Sequence, residues 1–169
     1  MRLAVSKALA AEGEEIPFSL EVNLPDTALM NETVTFPGAA ALEGTYASVG
    51  DSIHLKGVMA FTAASRCVLC LKMSEKAFDI PIDALYAPAP DPHDPDLYRY
   101  DGTWIDPLEM AADAALLALP MQWRCAEDCR GLCPVCGADR NEESCSCRME
   151  MQPKHPFSAL RLIKDESEV

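Results

Sequence analysis

Between residues 16 and 24 the chain alternates, with Phe18, Leu20, Val22 and Leu24 apolar and Ser19, Glu21 and Asn23 polar. A period of two marks a strand with one buried face. Residues 41–49 and 52–62 repeat the pattern, and Gly50-Asp51 between them has the composition of a tight hairpin turn. In the second of these runs Ile53, Leu55, Gly57, Met59 and Phe61 share a face. Residues 65–73 and 76–83 predict another antiparallel pair that turns at Ser74-Glu75, which puts Cys67-x2-Cys70 on or beside a strand. Tyr98, Tyr100 and Trp104 around Asp101-Gly102 predict a short hairpin over 97–105.

The period changes once. From Asp106 the chain offers an N-cap carboxylate, Pro107 at the first helical position and Glu109 in the capping-box position. Leu108, Ala112, Ala115, Leu116 and Leu119 form an apolar stripe, and Pro120 closes a helix over 107–119. Residues 156–164, with Phe157, Leu160 and Ile163 on one side, suit one or two helical turns, too few to be stable alone. Residues 86–96 are rich in proline and aspartate and read as an acidic loop, in which His93 is a solvated residue rather than a ligand. These elements predict an α+β fold: an antiparallel β-sheet, curled toward a barrel, with one packed helix and a C-terminal cysteine-rich zinc-binding loop. The expected organisation is a β-rich domain over 1–120, a cysteine-rich module over 121–150 and a tail over 151–169 carrying the short helix.

Composition narrows the setting. The chain has 169 residues, 49% of them apolar, which is enough for a buried core despite 13 prolines. No apolar run approaches the ~20 residues of a membrane-spanning helix. Acidic residues at 12, 14 and 15 interrupt any secretory signal near Arg2 and Lys7. A cytoplasmic location is therefore expected, where thiols stay reduced and clustered cysteines serve metals more often than disulfides. The net charge is −13, and residues 67–119 carry ten acidic groups against three basic ones. Such a surface repels a nucleic-acid backbone, and it suits either plain solubility or a basic partner such as a ribosomal protein.

The cysteines carry the chemistry. Cys133-Pro-Val-Cys136-Gly137 has the form of a zinc knuckle, whose tight turn brings two sulfurs together while glycine relieves the backbone after the second. A thioredoxin-like site would instead need its Cys-x2-Cys to open a helix, and Gly137, Asp139 and Asn141 describe a loop. Eight sulfurs with no nearby His-Glu pair point to saturated, architectural zinc rather than to a catalytic ion with an open position. Two ions are expected. Cys133, Cys136, Cys145 and Cys147 would form a local set, and Cys67, Cys70, Cys125 and Cys129 a long-range set that staples the strands to the segment after the helix. A single site from Cys129, Cys133, Cys136 and Cys145 is the competing partition.

The order of these features resembles the YceD family, the large ribosomal RNA subunit accumulation proteins. The matching pieces are the β-rich first half, Ser65-Arg-Cys-Val-Leu-Cys-Leu71, the acidic loop, Ile105-Asp106, and the helix ending in Leu119-Pro-Met121. After them come Asp128-Cys-Arg-Gly-Leu-Cys-Pro134 and Pro156-Phe-Ser-Ala-Leu160. The resemblance implies a non-enzymatic factor, without catalytic residues or a small-molecule substrate, that supports processing and accumulation of large-subunit ribosomal RNA. It also favours pairing Cys67 and Cys70 with the Cys125 region. Many relatives carry Arg between the first two cysteines, where this chain has Val68-Leu69.

The implied partner is a large-subunit ribosomal protein or a ribosomal RNA precursor complex, met through the acidic surface, with Arg130, Arg140 and Arg148 presented by the zinc loop. Two other classes remain open: a zinc-ribbon nucleic-acid-binding or protein-interaction module unrelated to the ribosome, and a thiol redox protein. Residues 120–150 sum to −2, which weighs against the nucleic-acid reading.

Overall fold

The computed structural model describes residues 2–29, 32–90, 94, 97–100 and 102–147. The helix expected over 156–164, Arg148, His93 and the Pro156–Leu160 segment lie outside the described residues. The chain divides into two compact units, Met1–Cys129 and Arg130–Val169.

The first unit is mostly β. Its strands are β1 (Leu3–Ala4), β2 (Ile16–Val22), β3 (Thr27–Leu29), β4 (Glu32–Val34), β5 (Ala40–Val49), β6 (Ser52–Arg66), β7 (Met73–Ala87), β8 (Leu97–Arg99) and β9 (Trp104–Ile105), with helices α1 (Ser6–Ala10) and α2 (Leu108–Ala118). Five strands form one curled sheet, a half-barrel, in the order β2-β5-β6-β7-β8. The period-two runs become β2, β5 and β6 as expected. The face shared by Ile53, Leu55, Met59 and Phe61 is buried with Leu20, Leu42 and Tyr46. Gly44 and Gly57 stand opposite each other across β5 and β6. A Cβ at Gly44 would lie 1.9 Å from the Lys56 carbonyl oxygen, and one at Gly57 2.1 Å from that of Glu43. The two backbones approach too closely for any side chain, as happens where a sheet bends sharply.

Three expectations about the sheet need correction. The sheet is mixed, because β8 pairs with β7 in parallel while the other pairs of this sheet are antiparallel. The 97–105 hairpin does not form: β8 lies on β7, and β9 pairs with β1. Tyr98 and Trp104 thus serve different sheets, which alternation along the chain cannot reveal. The third correction bears on the site. The β6–β7 turn is at residues 67–72, not at Ser74-Glu75, and pairing runs without a bulge from Ile53↔Tyr86 to Arg66↔Met73. The cysteine motif is itself the turn.

Helix α2 starts one residue later than expected, with Pro107 rather than Asp106 at the cap position, and the Leu108 N–H donates to Asp106 Oδ1 at 3.1 Å. Its buried side is Met110, Ala111 and Ala115, while Leu108 and Leu116 from the expected stripe are exposed. With Leu116 and Leu117 adjacent, helical periodicity admits more than one apolar face, and packing chose the one with smaller side chains.

Candidate metal centres

Each unit contains one cysteine tetrad. Cys67, Cys70, Cys125 and Cys129 bring their sulfurs within 4.8 Å of one another in the first, and Cys133, Cys136, Cys145 and Cys147 do so in the second. All eight cysteines are free thiols. The Sγ atoms of Cys67 and Cys129 are 3.8 Å apart, and those of Cys70 and Cys125 3.5 Å. With zinc–sulfur bonds near 2.3 Å, a tetrahedron has an edge of about 3.8 Å. The spacing therefore fits four thiolates around one tetrahedral ion, and the chemistry of the set is that of a soft metal such as zinc.

Both tetrads are built on the same turn. In the second unit the Gly137 N–H donates to the Cys133 carbonyl and the Cys133 N–H to the Ala138 carbonyl, each at 2.8 Å. In the first, Leu71 N–H donates to Cys67 O at 2.9 Å and Cys67 N–H to Lys72 O at 2.8 Å. The residue after the second cysteine has positive φ in both: +76° at Gly137 and +62° at Leu71. Leu71 is the only non-glycine residue with positive φ among those described. A leucine in this conformation is strained by roughly 1–2 kcal/mol, so the surrounding turn must hold it there. Glycine at 137 signals the knuckle in the sequence, and leucine at 71 hides its counterpart.

The distant half of the first tetrad is delivered by Trp123, which belongs to no alternating run and no cysteine motif. Its ring is 4% exposed, donates from Nε1 to Ser74 Oγ at 2.9 Å, and packs against Phe78 with centroids 6.3 Å apart. The Lys76 ammonium lies 5.5 Å from the ring centroid, and the Trp123 carbonyl accepts from the Val68 N–H at 2.9 Å. One side chain thereby fastens the segment bearing Cys125 and Cys129 to the start of β7, and its own backbone fastens it to the knuckle.

In the second unit Asp139 and Asn141 organise the return of the chain. Asp139 Oδ1 accepts from the backbone N–H of Asn141 at 2.9 Å, and Asn141 Oδ1 accepts from that of Arg130 at 2.8 Å. A short bridge joins Leu132 and Asp139. Arg130 and Arg140 line an open cleft of about 530 Å³ with Cys133, Glu142 and Cys145. Both arginines are exposed.

Charge within the tetrads is uneven. Burial pushes the Cys67 thiol up, but backbone N–H groups of Cys70, Cys125 and Leu69 outweigh it and bring the pKa down to about 6. Cys133 is also held at about 6, first by the N–H groups of Cys136 and Val135. Cys125 is pushed up to about 12 by its hydrogen bonds to the Cys129 and Cys70 sulfurs, and Cys147 to about 12 by that to Cys136. Each cluster thus favours a thiolate at the first cysteine of its knuckle and resists ionising Cys70 and Cys125 in the first set and Cys145 and Cys147 in the second without a cation. A divalent ion removes that resistance.

A family model described as Large ribosomal RNA subunit accumulation protein YceD matches residues 55–164, a span that includes all eight cysteines. Searches of the curated proteins and of the solved structures find no match.

Proposed function

The chain belongs to the YceD family of large ribosomal RNA subunit accumulation proteins, and from that membership we propose that it is a non-enzymatic factor in assembly of the large ribosomal subunit. It supports processing and accumulation of large-subunit ribosomal RNA in the cytoplasm through a large-subunit ribosomal protein or a precursor complex. The observation that carries this reading is the family match across residues 55–164. Cys67, Cys70, Cys125 and Cys129 hold one zinc ion, and Cys133, Cys136, Cys145 and Cys147 a second. Four sulfurs per cluster support a structural role, since saturated coordination leaves no position for substrate or activated water. The net charge of −13 supports a basic partner rather than naked RNA.

Affinity purification of the tagged full-length protein from its own cells tests this directly. Large-subunit proteins and precursor RNA are expected in the eluate, and depletion of the protein should lower the ratio of large to small subunits in a sucrose gradient. An eluate without either component, together with an unchanged subunit ratio, refutes the proposal.

A further inference from the structure

Strand β7 is fifteen residues long, yet β8 covers only Leu85, Tyr86 and Ala87 on its outer side. From Met73 to Ala84 no strand among the described residues pairs with that edge. An edge of this length without a partner strand among the described residues is unusual in a folded protein, because a row of unpaired N–H and C=O groups recruits other strands.

The direction of those groups follows from the pairing. The Ala87 carbonyl accepts from Tyr100 N–H at 3.1 Å, so Ala87 directs its backbone away from β6. Pairing with β6 is bulge-free, so every second residue, at positions 85, 83, 81, 79, 77 and 75, does the same. Pro81 is in this row, where its missing N–H leaves the β6 ladder intact and interrupts only the free edge. Met73 to Asp79 therefore presents the continuous part.

Side chains around this edge select the occupant. Glu75 and Asp79 are exposed on the outer face, form no ion pair among the described residues, and stand opposite Ala64 and Ala60. They are four residues apart, about 13 Å along a strand. On the inner face, Phe78 and Ile80 are only half-buried at the rim of the core. Beyond Pro81, a groove of about 240 Å³ opens between β7 and α2, lined by Ile82, Ala84, Tyr98, Met110, Ala114 and Leu117. Leu117 at its lip is 86% exposed.

We propose that the edge of β7 from Met73 to Ala84 is a docking site for an extended, lysine- and arginine-rich segment of a protein partner, which adds as a strand beside β7. Backbone hydrogen bonds supply the affinity and alternate side chains the selectivity, as in other strand additions. Cations on the outer face meet Glu75 and Asp79, apolar residues on the inner face cover Phe78 and Ile80, and a terminal apolar side chain enters the groove beside α2. A second copy of this chain is a poor occupant, because Glu75 and Asp79 would then face their own kind. RNA is poorer still, since its phosphates meet the same carboxylates. The inference deepens the assembly reading by naming the chemistry of the partner. Its test involves no ribosomal component, so failure of one is distinguishable from failure of the other.

The full-length, zinc-loaded protein is titrated into a fluorescent peptide of about eight residues, alternating lysine and valine with leucine at each end. Saturable binding is expected, weakened at least tenfold when alternate peptide amides are N-methylated or when Glu75→Lys and Asp79→Lys are combined. Ala77→Pro removes an edge-facing N–H without touching the β6 ladder, and it should weaken binding at least tenfold while circular dichroism and zinc content stay unchanged. If Ala77→Pro fails to fold, the N-methylated peptide on the unaltered protein decides the question. Equal binding of plain and N-methylated peptides overturns the proposal in favour of simple charge attraction. Displacement of the peptide by a short single-stranded RNA, or an edge-to-edge dimer that the peptide cannot dissociate, overturns it as well.

Discussion

Truncating Trp123 to alanine separates the role of the fold from the role of the metal. The indole is 4% exposed and wedged among Ser74, Lys76 and Phe78. A buried tryptophan removes about 150–250 Å² from water, which at ~25 cal/mol per Å² amounts to about 4–6 kcal/mol. That figure is an upper bound, because the unfolded chain already hides some of the ring. Truncations of this kind measure about 3–5 kcal/mol, a large part of the roughly 5–15 kcal/mol that keeps a domain folded. Trp123→Ala is therefore expected to lower the unfolding free energy by about 3–5 kcal/mol in urea titrations followed by far-ultraviolet circular dichroism. Because Trp123 delivers Cys125 and Cys129, zinc transfer to a chromophoric chelator should accelerate for the first tetrad and stay unchanged for the second. Trp123→Phe keeps the apolar packing and loses the Ser74 hydrogen bond, so it should lose only about 1–2 kcal/mol. A Trp123→Ala protein within about 0.5 kcal/mol of the unaltered one, or one that releases both ions equally faster, would refute this account of the segment.

Three further outcomes follow from the geometry. Gly57→Ala places a Cβ 2.1 Å from the Glu43 carbonyl oxygen in a neighbouring strand, so backbone must move, and a loss of about 2–4 kcal/mol is expected in the same titration; an unchanged midpoint would mean that β5 and β6 do not approach so closely. Elemental analysis should find one zinc for each tetrad in the unaltered protein. Cys136→Ser should remove one ion and leave the unfolding of the β-rich unit unchanged, whereas Cys67→Ser should remove the other and destabilise that unit. Loss of both ions from Cys136→Ser contradicts the partition into independent sites.

Much of this arrangement can be read along the chain where interactions are local. Cys133-Pro-Val-Cys136-Gly137 declares its knuckle because the turn is closed by bonds between near neighbours and its positive φ calls for glycine. Cys67-Val-Leu-Cys70 makes the same turn, but Leu71 occupies the left-handed position, so the usual marker is missing and the motif passes for part of a strand. The helix start at Asp106 is equally local. Its buried face is not, because Leu116 and Leu117 offer apolar surface in two directions and only the sheet selects between them.

The sequence by itself determined the period-two strands β2, β5 and β6, the hairpin at Gly50-Asp51, the helix after Asp106 and a cysteine set suited to two saturated sites. Those features depend on steric and hydrogen-bonding preferences that act over a few residues. Tertiary structure alone decided that β8 runs parallel to β7, that the β6–β7 turn is the cysteine knuckle, and that Trp123 carries Cys125 and Cys129 to it. It also decided that, among the described residues, no strand pairs with the outer edge of β7 from Met73 to Ala84. Each of these joins residues dozens of positions apart or depends on which strand arrives beside another, and such encounters are set by the packing of the whole core rather than by any stretch of the chain that takes part in them.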